Sequence, residues 1–137
     1  MAGSPKYTIE HIGMGTEDPE SFAAWYSKVL GFREFFRTGT LPPVIFLEDD
    51  SGQKIEIFPR KPGDQGPAPG PRTGMHLAIV VDDLDSAMAD LQDKGVAFTG
   101  ESFGIFSDGR ARFFADPEGN LLHIVHRPQS PWQGRNL

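Results

Sequence analysis

Three of the four histidines in this 137-residue chain, together with one glutamate, carry the chemistry that a first reading singles out: His11, Glu56, His76 and His123. Imidazole nitrogen and carboxylate oxygen are the donors that hold zinc, nickel, manganese, cobalt or iron(II), and three imidazoles with one carboxylate make a complete set for a divalent ion. There is no cysteine. Disulfides, thiolate nucleophiles and Cys-ligated zinc or iron-sulfur centres are therefore excluded, so any metal must rest on nitrogen and oxygen. An ion held by three neutral imidazoles and a single carboxylate keeps a net positive charge. It could polarise a carbonyl, stabilise an enediolate formed by proton abstraction, or lower the pKa of bound water.

What singles these four out is side-chain parity. Alternate residues of a strand face opposite sides, so a polar residue between two apolar ones looks away from the surface on which its neighbours pack. Glu56 lies between Ile55 and Ile57, His76 between Met75 and Leu77, and His123 between Leu122 and Ile124. His11 follows Glu10, but Ile12 and Met14 share the opposite face. His126 has the opposite parity to His123 and falls outside the set.

The elements that must position them are written twice. In the first module, residues 7–58, an extended run Tyr7–Met14 leads to Asp18-Pro19, a helix cap followed by proline at the first helical position. Phe22, Trp25, Tyr26, Val29 and Leu30 recur at helical spacing up to Gly31, and strands follow at Phe32–Thr38, Val44–Glu48 and Lys54–Phe58. The second module, residues 74–127, repeats this order. Its strand is Met75–Val81, its cap Asp83, and its helical stripe Leu84, Ala87, Met88 and Leu91 before Gly95; strands then fall at Val96–Thr99, Arg110–Ala115 and Leu121–Val125. His11 and His76 stand 65 residues apart, as do Ser21 and Ser86, whereas Glu56 and His123 stand 67 apart. The four candidate ligands thus occupy both equivalent first-strand positions and both equivalent last-strand positions. Two duplicated units would place them around a pseudo-twofold axis.

The expected architecture is α+β: one domain over residues 1–137, with two tandem βαβββ modules forming a curved mixed sheet around a metal-containing cleft. A Pro/Gly-rich connector at 59–73 joins the modules, and a polar tail at 128–137 has Trp132 as its possible anchor. Each module alone is too small for a comfortable core. Thirteen basic against nineteen acidic residues give a net charge of −6, with no run of Lys or Arg, so nucleic acid and anionic membrane are poor partners. No apolar stretch approaches the roughly eighteen residues that span a bilayer, and the start lacks a secretion signal. The expected location is the cytoplasm.

On these residues the chain resembles the vicinal oxygen chelate superfamily, the glyoxalase, bleomycin-resistance and extradiol-dioxygenase fold group. The resemblance covers about Tyr7–Arg127, through His11, Val29-Leu30-Gly31-Phe32, Ile55-Glu56-Ile57-Phe58, Met75-His76-Leu77 and, most specifically, the turn within Phe113-Phe114-Ala115-Asp116-Pro117-Glu118-Gly119-Asn120. It implies paired βαβββ modules, a homodimer, and an open-sided divalent metal at the positions of His11, Glu56, His76 and His123 onto which a small substrate chelates. The last position is commonly Glu in such proteins. His123 separates this chain from the two-His-one-carboxylate pattern of extradiol dioxygenases and fosfomycin-resistance enzymes, and from glyoxalase I and methylmalonyl-CoA epimerase.

The function expected is isomerisation, epimerisation or elimination next to a carbonyl through a metal-stabilised enediolate, with Glu56 as ligand, as catalytic base, or both. Two alternatives are an Fe(II)-dependent ring-cleaving dioxygenase and a metal-free small-molecule or antibiotic-binding resistance protein. Phe46, Phe58, Phe106 and Phe113 are candidates for a substrate pocket, and Arg37, Arg60, Arg110, Arg112 and Arg127 for recognition of a substrate carboxylate. Gly13 and Gly15 lack the strand-loop-helix context of a phosphate-binding loop.

Overall fold

The computed structural model describes residues 3–64 and 74–132. The chain divides into two compact units with the boundary at residues 66–67. Residues 1–2, the second part of the connector (65–73) and the end of the tail (133–137) lie outside the described residues.

The first unit runs β1 (Ile12–Thr16), α1 (Pro19–Leu30), β2 (Arg33–Arg37), β3 (Ile45–Glu48) and β4 (Lys54–Pro59). Its strands form one sheet in the order β1-β4-β3-β2, with β1 parallel to β4 and the other pairs antiparallel. Helix α1 begins where expected. The Asp18 carboxylate accepts the Ser21 N–H at 3.1 Å, Pro19 supplies a preset φ, and Gly31 at φ +75 ends the helix while its N–H bonds the Ser27 carbonyl at 3.1 Å. The helical stripe buries Phe22, Tyr26 and Val29, and the inward parity of the strands buries Met14, Ile45, Leu47, Ile55 and Ile57. That alternation fixes which face of the sheet is left for Glu56.

The second unit repeats the plan with β5 (Leu77–Val80), α2 (Leu84–Asp93), β6 (Phe98–Ile105), β7 (Gly109–Ala115) and β8 (Leu121–His126), in the order β5-β8-β7-β6. Asp83 caps α2 by accepting the Ser86 N–H at 2.9 Å. This helix buries only Leu84 and Leu91, so the core leans on Ala111, Phe114, Leu122, Ile124 and Val125. The turn before β8 is held by buried Asp116, whose Oδ1 accepts the N–H groups of Glu118 (2.9 Å) and Asn120 (3.0 Å) and whose Oδ2 accepts from Asn120 Nδ2 at 2.7 Å. Gly119 at φ +87 supplies the left-handed residue that the turn requires.

Four expectations need correction. In place of a single curved mixed sheet the strands form two separate four-stranded sheets, neither strongly curled, because every ladder closes within its own module, and among the described residues no donor group marks a metal-containing cleft. The first strand starts at Ile12, not Tyr7, because its partner ladder begins at Ile12↔Ile55, and Tyr7 and Ile9 are exposed. His11 and His76 therefore each precede a strand by one residue instead of lying within it. Strand β6 runs on to Ile105, because it forms a hairpin with β7 across Phe106, Ser107 and Asp108, the last two at positive φ. Among the described residues no helix is long and apolar enough to cross a membrane.

Candidate metal centre

Register places Glu56 in a row that crosses the first sheet. Phe36 on β2, Phe46 on β3, Glu56 on β4 and Gly13 on β1 are successive cross-strand partners. Directly opposed residues share a face, so this row looks away from buried Ile55 and Ile57. His11 sits beside it, its ring edge-on to Phe46 at 5.4 Å and 83°. Its Nδ1 lies 2.9 Å from Glu10 Oε1 and its Nε2 lies 3.6 Å from Glu56 Oε1. In the neutral tautomer whose Nδ1 donates to Glu10, Nε2 would turn its lone pair toward Glu56; a protonated ring would instead donate to both carboxylates. Two donors at about 2.1 Å from a shared ion in tetrahedral geometry stand about 3.4 Å apart, so the pair is spaced as chelating partners are.

The backbone beside Glu56 is bare for a reason. A Cβ at Gly13 would stand 3.3 Å from Phe58 Cε1 and 3.4 Å from Glu56 Oε1, and one at Gly15 would stand 2.9 Å from Arg60 Cγ and 3.1 Å from Phe58 Cε2. The two glycines seat the Phe58 ring against β1 next to the carboxylate. In the second module the corresponding strand reads Ala78 and Val80, and no such seat exists.

The equivalent row in the second sheet is Thr99, Phe113, His123 and Ala78. Exposed His76 brings its ring to 4.6 Å from that of His123 and edge-on to Phe113 at 5.8 Å and 89°. Two imidazoles on one ion place their centroids about 5 Å apart. The ring of Phe103 stacks on Phe113 at 5.4 Å and 19°. His123 is buried, and its Nδ1 makes no hydrogen bond among the described residues. Burial foremost, then the charges of His76 and Arg127, lowers its pKa from 6.5 to about 4. It is thus a neutral imidazole at pH 7, the protonation state of a metal ligand.

The sequence-predicted residues therefore come together as two pairs, His11 with Glu56 and His76 with His123. Among the described residues no group of three or more His, Cys, Asp or Glu is placed to hold a metal, so neither pair gains a third donor within its own module. Phe46, Phe58 and Phe113 accompany the pairs. Phe106 does not: it is exposed in the β6–β7 turn under the Arg127 guanidinium, whose Cζ lies 4.4 Å from the ring centroid, and Trp132 lies 5.7 Å from the same Cζ. His126 stands apart as expected, its Nδ1 3.2 Å from the Val81 carbonyl oxygen. Arg37 is held by Glu20 and Glu34, and Arg112 donates to the Gly100 carbonyl while covering Phe98.

Sequence reasoning missed Glu10, Phe36 and Phe103. Glu10 had adjacency to His11 as its signal. Phe36 and Phe103 had none, because irregularities between Glu34 and Phe36 and between Thr99 and Phe103 break the parity by which they would have been placed. For Phe46 and Phe113 the signal was present: they stand 67 residues apart, the same offset as Glu56 and His123.

The family model of the Glyoxalase/Bleomycin resistance protein/Dioxygenase superfamily matches residues 8–124. The chain belongs to this superfamily. An uncharacterised protein of Escherichia coli strain K12, YaeR, is 27% identical over 130 residues, which cover 87% of this chain and 95% of that one. Among solved structures, a glyoxalase family protein from Enterococcus faecalis superposes with a TM-score of 0.72 at 23% identity, covering 86% of this chain and 96% of that one. A glyoxalase/dioxygenase from Nostoc punctiforme does so with a TM-score of 0.70 at 21% identity, covering 94% and 100%. At these identities the two structures speak for the fold alone. The superfamily includes metal-dependent isomerases and dioxygenases as well as metal-free resistance proteins.

Proposed function

We propose that this chain is a divalent-metal-dependent enzyme of glyoxalase type, working as a cytoplasmic homodimer, which isomerises, epimerises or eliminates next to a carbonyl of a small chelating substrate. His11, Glu56, His76 and His123 are its metal ligands. The observation that carries the reading is the facing pair His11 Nε2 and Glu56 Oε1 at 3.6 Å, with Glu10 on the far nitrogen of the same ring. In the tautomer whose Nδ1 donates to Glu10, these are two acceptors face to face, and a cation or a proton must lie between them. The buried Nδ1 of His123, without a hydrogen bond among the described residues, supports the same reading from the second module.

When bound, the ion supplies Lewis acidity toward a carbonyl oxygen. The chain's own residues do the rest. Glu10 holds the His11 ring in one tautomer and one orientation. Glu56, whose side chain is half-buried, accepts the proton from the carbon next to the carbonyl and hands it back. The Phe46 and Phe113 rings border the donors and limit access of water to them.

The test is metal identity and stoichiometry in protein purified anaerobically without a metal-affinity tag, beside the His76→Ala protein. About one metal per chain, lost in the variant, is the expected result. No metal, and none recovered on adding divalent ions, overturns the reading. A Glu56→Gln protein that kept both its metal and full turnover would remove the role of Glu56 as base. A second reading, a metal-free small-molecule-binding protein, is favoured by the lack of a third donor beside either pair. It expects ligand binding that is indifferent to chelators.

A further inference from the structure

We infer that the second module carries a binding site for a neutral sugar at the tip of its β6–β7 hairpin, where the turn and the chain leaving β8 enclose a polar cavity; this is independent of the metal-centre reading. The cavity measures about 650 Å³ and is lined by Ser107, Asp108, Pro128, Gln129, Ser130 and Pro131. Sites for small organic ligands run from about 300 to about 1,000 Å³. The turn is built against backbone preference. Ser107 and Asp108 stand at φ +61 and +53, with the Gly109 N–H on the Phe106 carbonyl at 3.4 Å. Two successive positive φ values are the mark of a type I′ turn, which Asn-Gly or Gly-Gly fills with least strain. A serine and an aspartate held there at that cost have side chains to offer, and both line the cavity.

The lining decides the class of ligand. Two hydroxyls and a primary amide each donate and accept, and the carboxylate accepts, which matches hydroxyl groups that do both. Among the described residues the side chains of Ser107, Asp108 and Gln129 have no hydrogen-bond partner, and Ser130 Oγ accepts the Trp132 N–H at 3.4 Å. Charge narrows the choice further. Asp108 repels an anion, while the Arg127 guanidinium, next in the chain to Pro128, disfavours a cation. That guanidinium is fixed in place: a Cβ at Gly109 would stand 2.9 Å from Arg127 Cγ, so its absence lets the arginine stem cross the hairpin to reach Phe106 and Trp132. Pro128 and Pro131 supply apolar walls, and Trp132, 55% exposed, follows them with an aromatic face. The C–H face of a pyranose ring packs on such surfaces while its hydroxyls meet the polar groups.

The experiment follows the backbone amide and indole NMR signals of the full chain during titration with glucose, galactose and N-acetylglucosamine, with maltotetraose as the end of a glycan, and with sulfate and putrescine as charged probes. At least one sugar should shift the signals of Ser107, Asp108, Gln129 and Ser130. Tighter binding of a monosaccharide assigns the site to free sugars, and tighter binding of maltotetraose assigns it to glycan ends; either supports the proposal. Asp108→Gly should weaken the bound sugar by at least about ten-fold. Its urea unfolding midpoint should stay level or rise, because glycine fits the positive φ better. Trp132→Ala should weaken the same sugar by about three-fold. No shift at these residues with any of the sugars overturns the proposal. So does an unchanged response in Asp108→Gly, or a response to sulfate or putrescine in place of the sugars. A lowered midpoint in Asp108→Gly overturns it as well, since the aspartate would then serve the turn itself.

Discussion

His123 offers a direct physical check, because its environment opposes the charged form from several sides. The perturbation is acid, applied to protein stripped of metal by dialysis against a chelator. Burial first, then the charges of His76 and Arg127, lower the imidazole from 6.5 to about 4. At about 1.4 kcal/mol per unit, a displacement of that size corresponds to about 3–4 kcal/mol between the two protonation states. Between pH 6.5 and 4 the unfolded chain holds a proton on this ring that the folded chain refuses. Its contribution is therefore fully present above 6.5 and is lost as the pH falls toward 4. The assay is a ring-nitrogen NMR titration, paired with urea unfolding midpoints from pH 7.5 to 4. In His76→Ala the titration should move part of the way back toward 6.5, since burial, the leading cause, remains. His123→Leu should flatten the dependence of the midpoint on pH across the same window. A His123 resonance titrating near 6.5 in the stripped protein would refute the reasoning.

Gly13→Ala places a methyl 3.4 Å from Glu56 Oε1 and 3.3 Å from Phe58, and is expected to weaken metal uptake by about ten-fold in a competition assay with a chromophoric chelator; Gly3→Ala, where nothing lies within 4 Å, should have no effect. Phe114→Ala empties a fully buried site against Phe98 and should cost about 3–5 kcal/mol in denaturant unfolding. Asp116→Ala deprives three donors of the turn before β8 of their acceptor and should cost about 2 kcal/mol, with Asp116→Asn recovering part of it. Oxygen uptake with a catechol and ferrous iron, abolished by His76→Ala, would identify ring cleavage as the reaction in place of proton transfer.

The duplicated fold was legible because its punctuation is chemical. Asp18-Pro19 and Asp83 open the helices, Gly31 closes the first, and the alternation around Ile55 and Leu122 settles which way Glu56 and His123 face. Each half of the candidate centre could be read from spacing for the same reason. Parity could not say where a strand begins, because that is fixed by the partner ladder; hence His11 and His76 fall just outside their strands. Nor could it reach Phe36 and Phe103, which lie beyond irregularities that reset the alternation. Sheet curvature is set by how strands coil over their whole length, and no local pattern of residues encodes it. Glu10 escaped because a hydrogen bond between neighbouring side chains leaves no periodic trace.

The two cross-sheet rows, Phe36–Phe46–Glu56–Gly13 and Thr99–Phe113–His123–Ala78, are copies that agree only at their phenylalanine. A protein designed by repeating the first module would offer two histidines and two glutamates and cancel the charge of a divalent ion. One designed by repeating the second would offer four histidines, leave the ion's charge untouched and contain no carboxylate to accept a proton. The natural chain holds one of each, a carboxylate in the first row and an imidazole in the second. The divergence of a single pair of positions, 56 and 123, therefore decides which donor pair contains a group able to accept a proton as a carboxylate and which is imidazole alone.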